Sequence, residues 1–390
     1  MTGEFAALLA SARTAPSSAS SGRLSAPHAG FDWSAFTKLA QRHEVVPLVY
    51  SHWKRYCPDF APSPVMSEFA SQARANGQQN IILTGALVRL LEAFQRAGIV
   101  AVPYKGPVLA LSAYGDSALR QCCDLDVMLR PEDVWRAAEL AAGQGYEPVA
   151  PLPAPADRHG FLATRYHIEF VRADRLVHVE LHWSFSQEEY RAALDTAPLW
   201  TRLSSVRLAG VEFPAFAPED LLLVLCLHGA KHAWRRLKWI CDVSELRARH
   251  PDLDAAVHRA ARQAGSERIV ALGVGLAADL LGASPWKGPP LQDSALVAPL
   301  VVRIREQLAL ERVQPLESLA VLLASRQTPA ERRRLLTLWI QDHIKPTDKD
   351  RSAVALPRAL SWLYYVIRPI RLLGQYSWKP LRHLAGGLRR

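Results

Sequence analysis

The sequence predicts an α+β protein in which a small mixed sheet lies between two helical regions. Three observations support this fold class: helical periodicity before residue 97, short β-branched or alternating runs between 98 and 216, and helical periodicity again after Pro218. With 390 residues the chain is longer than one core usually covers, so more than one packed unit is expected.

These changes of pattern divide the chain into four predicted regions. They are an N-terminal helical region at 1–97 with a flexible loop at 13–30, a sheet region at 98–216, a helical domain at 217–345, and a linker with a basic, aromatic tail at 346–390. The loop is rich in Ser, Ala, Pro and Gly, a composition that buries little surface. Residues 65–97 read as one long helix that ends near Gly98.

The sheet region begins with the run IVAVPY, which indicates a strand, and continues with a short helix from Pro107. The run LDVML is a second strand, and PEDVWRAAELAAGQG has the first-turn Pro and acids and the final Gly of a capped helix. RYHIEFVR and LVHVELHWSF alternate strictly and form a predicted hairpin, and VRLAGVEFPAF predicts a further strand or hairpin.

The net charge of +10 is concentrated in the tail. Seven basic residues and no acid lie between Pro357 and Arg390, so the rest of the chain is nearly balanced. The tail also carries aromatic residues, a mixture that suits an anionic membrane surface, and we expect peripheral contact through residues 355–390. Docking of this tail on the protein body is the alternative, and nucleic acid is an unlikely partner because no reading module accompanies the charge.

Cysteine usage and hydropathy favour the cytoplasm. The five cysteines form no C-x-x-C pair, which argues against a disulfide framework or a zinc site. The N-terminus is a poor signal peptide, and no apolar run reaches the length of a transmembrane helix. We therefore expect a cytoplasmic protein, with the inner face of the membrane as the place of any peripheral contact.

The first candidate site is the acidic strand Asp124-Leu125-Asp126. Residues i and i+2 of a strand share a face, so the two carboxylates project together, roughly 7 Å apart along the strand. Like charges this close are costly unless a cation neutralises them, and Mg²⁺ accepts both carboxylate oxygens and nucleotide phosphates. A D-x-D pair alone is common, so a purely structural role is the alternative. Arg120 either neutralises the acids or contacts a phosphate.

The hairpin offers a third carboxylate. In LVHVELHWSF, the residues His178, Glu180 and His182 occupy one face, opposite an apolar face. If this strand lies beside the acidic one, Glu180 completes a three-carboxylate cluster that could hold two metal ions for an in-line phosphoryl displacement. The two histidines are interpreted as supporting residues rather than ligands.

A helical segment after the sheet carries a basic face. His228, His232, Arg235, Trp239 and Asp242 are spaced 4, 3, 4 and 3, so one helix face is predicted to hold them, with Lys231 and Lys238 on its flank. This face could bind the triphosphate or the base of a nucleotide, or it could be a polar helix–helix interface. A zinc site is disfavoured, because the histidine pair lacks the Glu of H-E-x-x-H and a third ligand.

The combined motifs resemble the uncharacterised nucleotidyltransferase family of the polymerase-β-like superfamily. The resemblance rests on YKGPVLALSAYGDSALRQCCDLDVML, then VELHWSF, then LCLHGAKHAWRRLKWICD, and it covers about residues 40–245. It implies that region 98–216 is a minimal nucleotidyltransferase palm. It also implies that Asp124 and Asp126 bind two Mg²⁺ ions and the nucleoside triphosphate, while Glu180 binds the catalytic metal and helps to deprotonate the acceptor hydroxyl.

The resemblance also assigns Lys105 and Gly106 to the phosphate-binding position. Better-known superfamily members carry Gly-Ser there, whereas this chain has Lys-Gly-Pro, followed by a longer spacing to the acids. The predicted cofactor-binding residues are Lys105, Gly106, Arg120, Lys231 and Lys238.

These observations predict a Mg²⁺-dependent enzyme that moves a nucleotidyl group from an NTP to a hydroxyl of an unknown acceptor, within a biosynthetic pathway. Two alternatives stay open: a non-catalytic nucleotide-binding or membrane-surface adaptor module, and a toxin-like nucleotidyltransferase that modifies proteins.

Overall fold

The computed structural model describes residues 2–15, 30–185, 197–292, 294–310, 315–326, 328–344, 354, 358–365 and 367–368. The chain divides into two compact units, Met1–Glu311 and Arg312–Arg390. The predicted division into four regions stays a prediction. Residues 16–29, which form most of the predicted flexible loop, and most of the predicted tail lie outside the described residues.

The N-terminal part of the first unit is helical, as predicted. Its helices are α1 (Gly3–Ser11), α2 (Trp33–Arg42), α3 (Val46–Tyr56) and α4 (Ser63–Arg96). Helix α4 corresponds to the long predicted helix, and the chain turns after it at Gly98, which has a φ of 72°. Asn80, fully buried on α4, donates to the backbone carbonyls of Ser117 and Arg120. Helix α4 therefore fixes the turn that leads into the acidic strand.

The sheet region contains a five-stranded mixed sheet, which confirms the α+β class. Its elements in chain order are β1 (Val102–Pro103), α5 (Gly106–Tyr114), β2 (Leu125–Met128), α6 (Val134–Gly143), β3 (Tyr146–Pro148), α7 (Arg158–Thr164), β4 (His167–Arg172) and β5 (His178–His182). The strand order is β1-β2-β5-β4-β3, and only the β2–β5 pair is parallel. Strands β4 and β5 form the predicted hairpin, and the turn at Ala173–Arg175 connects them.

The two faces of the sheet differ as the alternation predicts. Leu125, Val127, Val179 and Leu181 are buried in the hydrophobic core between the sheet and helices α4 and α6. Their neighbours Asp126, Glu180 and His182 therefore project from the opposite face. A separate hairpin follows, made of β6 (Ser204–Leu208) and β7 (Val211–Ala215), after the short helix α8 (Ala197–Thr201).

The remainder of the first unit is helical. Its helices are α9 (Pro218–Lys231), α10 (Leu237–Arg249), α11 (Asp254–Gln263), α12 (Glu267–Leu281) and α13 (Ser294–Ala309). Between α9 and α10 the chain breaks, because Ala233 and Trp234 adopt left-handed backbone conformations with φ of 51° and 53°. The buried Trp234 ring fills a notch at Gly229 and Gly273, where a Cβ atom would meet it at 2.4 Å and 3.1 Å.

This break corrects the prediction that one helix face holds the five spaced residues from His228 to Asp242. The helical periodicity is real on each side of the break, but the left-handed residues redirect the chain, so the five residues do not lie on one helix.

The second unit contains α14 (Pro315–Ala324) and α15 (Pro329–Ile344), followed by a 3₁₀ segment at Arg358–Leu363. The hydroxyl of Tyr364 donates to the carbonyl of Val354. The predicted membrane contact of the tail falls mainly on residues outside those described, and it stays a prediction.

Candidate active site

The acidic strand and the third carboxylate are neighbours in the sheet. Strands β2 and β5 pair in parallel with Asp126 opposite Glu180 and Met128 opposite His182. Ligand atoms of Asp126, Glu180 and His182 all lie within 4.8 Å of one another. The structure thus brings two of the three predicted carboxylates together, and it adds a histidine.

Asp126 is the most deeply buried acid of this cluster, and its two oxygens differ. Oδ1 lies 2.7 Å from Lys105 Nζ and 3.2 Å from His182 Nε2. Oδ2 is buried and has no hydrogen-bond partner among the described residues. Burial alone would raise the pKa of Asp126, but Lys105 and His182 outweigh it and hold the pKa well below its ordinary value. The carboxylate is therefore ionised, and one of its oxygens is free to accept a cation.

Asp124 lies immediately before β2 and is half-buried. Burial, followed by repulsion from Asp126, raises its pKa to about 6. Asp124 is outside the set of ligand atoms that Asp126, Glu180 and His182 form, although its charge interacts with those of Asp126 and Glu180. The folded chain holds this carboxylate in a place where its negative charge is unfavourable without an additional cation.

Glu180 occupies the more open side of the cluster, with a side chain that is 28% exposed. Its Oε2 lies 2.9 Å from His182 Nε2. Burial favours a higher pKa, but the nearby His182 outweighs it and lowers the pKa of Glu180. Glu180 also belongs to a second group of close ligand atoms, with His167 and Glu169 from β4.

The Lys-Gly element packs directly against the acidic strand. Lys105 is the N-cap residue of α5, and Gly106 has a φ of 59°. A Cβ atom on Gly106 would lie 3.0 Å from the backbone oxygen of Asp124, so this position requires glycine in both conformation and space. The N-terminal turn of α5, where free N–H groups favour anions, therefore begins beside the carboxylates.

The end of α9 supplies a basic side to the site. Lys231 Nζ lies 4.2 Å from the centre of the Tyr166 ring. Burial, followed by repulsion from Lys105, lowers the pKa of Lys231 to about 8. Glu180 and Asp126 act on it in the opposite direction, so this ammonium lies within electrostatic reach of the acids.

Two histidines beside Lys231 are neutral. Burial and then Lys105 hold the pKa of His228 well below its ordinary value, whereas burial and then Lys231 lower that of His232 to about 3. The rings of His228, His232 and Trp239 pack together with centroid distances of 4.7–5.4 Å.

The profile of the uncharacterised nucleotidyltransferase family matches residues 29–282, more than half of the chain. The chain belongs to this family. At the family level it is therefore a nucleotidyltransferase. The crystal structure of an antigenic nucleotidyltransferase-like protein from Paracoccidioides brasiliensis is similar to this chain with a TM-score of 0.34 and 15% identity, over 53% of this chain and 93% of that chain. No curated protein matches the sequence.

The donor set of this nucleotidyltransferase fits the divalent cations that the family resemblance implies. Asp126 and Glu180 offer carboxylate oxygens close to one another, and the buried Oδ2 of Asp126 lacks a hydrogen bond among the described residues. A buried carboxylate oxygen without a partner is costly, and cation binding would remove that cost.

Arg120 pairs with an acid outside the cluster, and its predicted role in cofactor binding stays a prediction. Its Nε and Nη2 atoms donate to the two carboxylate oxygens of Asp242 at 2.8 and 3.0 Å. The hydroxyl of Tyr114 donates to the same carboxylate at 2.7 Å. Arg120 and Asp242 are both buried, so the guanidinium is committed to a structural ion pair between the palm and α10.

Lys238 is close to the acids but is paired. Its Nζ atom contacts a carboxylate oxygen of Glu44, which also pairs with Arg236. The charge of Lys238 is among the influences that lower the pKa of Asp124, so the lysine lies near that carboxylate. A role in nucleotide binding stays a prediction for Lys238. In that role its ammonium group would contact both Glu44 and the nucleotide.

Several residues of the site were assigned no role from the sequence, namely Tyr104, Tyr166, His167 and Glu169. Tyr104 is buried beside the acids. Burial, followed by the negative charges of the acids, raises the pKa of Tyr104 well above its ordinary value. The alternation H-I-E in β4, opposite E-L-H in β5, is the sequence signal that could have indicated His167 and Glu169.

Among the described residues, no helix is long and apolar enough to cross a membrane.

Proposed function

We propose that the protein transfers a nucleotidyl group from a nucleoside triphosphate to a hydroxyl group of an acceptor, with divalent cations bound at Asp124, Asp126 and Glu180. The observation that supports this function best is the ionised, buried Asp126 opposite Glu180, with one oxygen lacking a partner among the described residues. Bound Mg²⁺ would polarise the α-phosphate and neutralise the charge that develops on the phosphates.

The residues around the acids would orient the nucleotide. The first N–H groups of α5 after Lys105 would bind phosphate oxygens, as helix N-termini do. Lys105 and Lys231 would offset the negative charge of the triphosphate, because both ammonium groups lie within the electrostatic reach of Asp126. His228, His232 and Trp239 would contact the base. Glu180, the most open of the three acids, would accept the proton of the attacking hydroxyl.

The experiment is a transfer assay with α-labelled NTPs, Mg²⁺ and a small-molecule extract as the source of acceptors. The wild type is expected to release pyrophosphate and to label a small molecule. Asp126→Asn and Glu180→Gln are expected to reduce the rate at least about 100-fold, since each removes a charge from the cation site. Asp279→Asn is the matched control, because that acid forms an exposed ion pair with Arg305.

Each outcome of this assay discriminates among the hypotheses. Label on protein instead of a small molecule would favour the protein-modifying alternative. Nucleotide binding that is measurable by calorimetry without any transfer would favour the non-catalytic module. A wild type that binds neither NTP nor divalent cation would refute the proposal.

A further inference from the structure

His182 is a buried histidine whose ring contacts two of the acids. His182 extends from the same strand face as Glu180, and its side chain is 4% exposed. Its Nε2 lies 2.9 Å from Glu180 Oε2 and 3.2 Å from Asp126 Oδ1. Both distances are those of an ion pair, although neither contact has ideal hydrogen-bond geometry. Nε2 thus lies at a position where one bound cation would contact it and the two acids.

Packing holds the His182 ring in this position. The ring of His167 stacks on it with a centroid distance of 5.1 Å and an interplanar angle of 27°. Tyr104 approaches it edge-on at 5.7 Å, and Tyr166 lies 5.9 Å away. Nδ1 also lacks a hydrogen-bond partner among the described residues. Aromatic contacts therefore help to orient Nε2 toward the acids before any ligand arrives.

A second observation points to a ligand at the same place. Oδ2 of Asp126 is buried and lacks a partner within the described chain. Unsatisfied atoms on two adjacent side chains, each more than nine-tenths buried, are costly in a folded protein. One bound cation with mixed oxygen and nitrogen ligands would satisfy both side chains.

We propose that His182 is a metal ligand, and that the cation position it shares with Asp126 and Glu180 selects a first-row transition-metal ion over Mg²⁺. This inference rests on the proposed function and sharpens its cation requirement. Mg²⁺ takes oxygen ligands and retains water, whereas imidazole nitrogen favours transition-metal ions, and Mn²⁺ accepts both donor types.

The test uses Mn²⁺ as the probe with the purified full chain. Electron spin-echo modulation of bound Mn²⁺ is expected to show a directly coordinated ¹⁴N nucleus, and ¹⁵N-histidine labelling is expected to convert that signal to ¹⁵N. In His182→Gln the nitrogen signal is expected to disappear and the Mn²⁺ affinity to fall about tenfold or more. Mg²⁺ affinity, measured by competition, is expected to change by less than about threefold, because the carboxylate oxygens remain.

Two histidine variants serve as controls. His178→Gln changes an exposed residue on the same strand, and His167→Gln changes the residue that stacks on His182. Both are expected to keep the nitrogen signal. The labelling experiment needs no substitution, so it reports on nitrogen coordination even if His182→Gln does not fold.

Bound Mn²⁺ without nitrogen coupling, or a signal that survives in His182→Gln, would overturn this inference and leave the proposed function standing. A nitrogen signal that disappears in His167→Gln but not in His182→Gln would show that His167 is the ligand, and it would overturn this inference. A wild type that binds neither Mn²⁺ nor Mg²⁺ would refute both proposals.

Discussion

Asp126 and Asp242 are two buried carboxylates that differ in whether both of their oxygens have hydrogen-bond partners. Both side chains are about 2% exposed and both are paired with a basic residue. Asp242 receives hydrogen bonds on both oxygens from Arg120 and Tyr114, whereas Asp126 has one oxygen without a partner among the described residues. Burial by itself therefore does not mark a functional acid. The oxygen of Asp126 without a partner among the described residues is the feature on which the proposed cation site depends.

The largest expected effect is the loss of stability in Arg120→Met. Removing the guanidinium leaves Asp242 buried with only the Tyr114 hydroxyl, and breaking a buried pair in this way costs about 3–5 kcal/mol. The free energy of unfolding from urea titration measures the effect. Arg305→Met, which removes an exposed pair with Asp279, is expected to cost at most about 1 kcal/mol.

A contrary result for Arg120→Met would break the comparison. If the variant keeps its stability and instead loses nucleotide affinity, Arg120 belongs to the phosphate site after all.

Asp124→Asn is expected to increase the stability of the folded protein, whereas Arg120→Met decreases it. Because the folded state raises the pKa of Asp124 to about 6, the ionised carboxylate destabilises the metal-free protein above that pH. The substitution is expected to raise the free energy of unfolding by about 1–2 kcal/mol at neutral pH, while cation binding weakens. Thermal unfolding in chelator-containing buffer, together with Mn²⁺ titration, measures both. A destabilised variant with intact cation binding would show that Asp124 has a structural role, as Asp242 does.

The smallest expected effect belongs to Lys231→Met. The ordinary pKa of this lysine is 10.5, and the fold lowers it to about 8, so the charged form is disfavoured in the folded state. That penalty is fully present below about pH 8 and disappears as the pH rises through 10.5. The variant is expected to gain about 1 kcal/mol at pH 7, less than the full shift implies, because a lysine stem can move its ammonium toward water.

The same variant is expected to bind NTP about tenfold more weakly, since a charge-assisted contact to phosphate is lost. Stability measured at pH 7 and pH 10 gives the first quantity, and calorimetry gives the second. A stability gain that persists unchanged at high pH would show that the charge of Lys231 is not its cause.

The sequence predicted the faces of the strands but not their register. Alternation placed Asp126 and Glu180 each on the side of a strand away from the core, because a period of two is a local property. The parallel pairing that sets Asp126 opposite Glu180 joins residues far apart in the chain, so nothing local determines it. The partner of Arg120 was missed for the same reason, since Asp242 lies 122 positions later.

The position of the break between α9 and α10 was hidden by good helical periodicity on both sides. It depends on the left-handed conformation of Trp234 and on the fit of its ring against Gly229 and Gly273. Gly273 is on another helix, so the cause of the break lies in tertiary packing. The orientation of His182 could not be predicted either, because the rings of Tyr104, Tyr166 and His167 contact it from two other segments of the site.

The Arg120–Asp242 ion pair has a practical consequence for dissecting this protein. Excising residues 98–216 as an isolated palm would leave the guanidinium of Arg120 without its anion. It would also remove Asn80, which holds the backbone at Ser117 and Arg120. Such a fragment would lose the anchors of the turn that delivers the chain to Asp124. The acidic strand and the flanking helices should therefore be expressed and engineered as one piece.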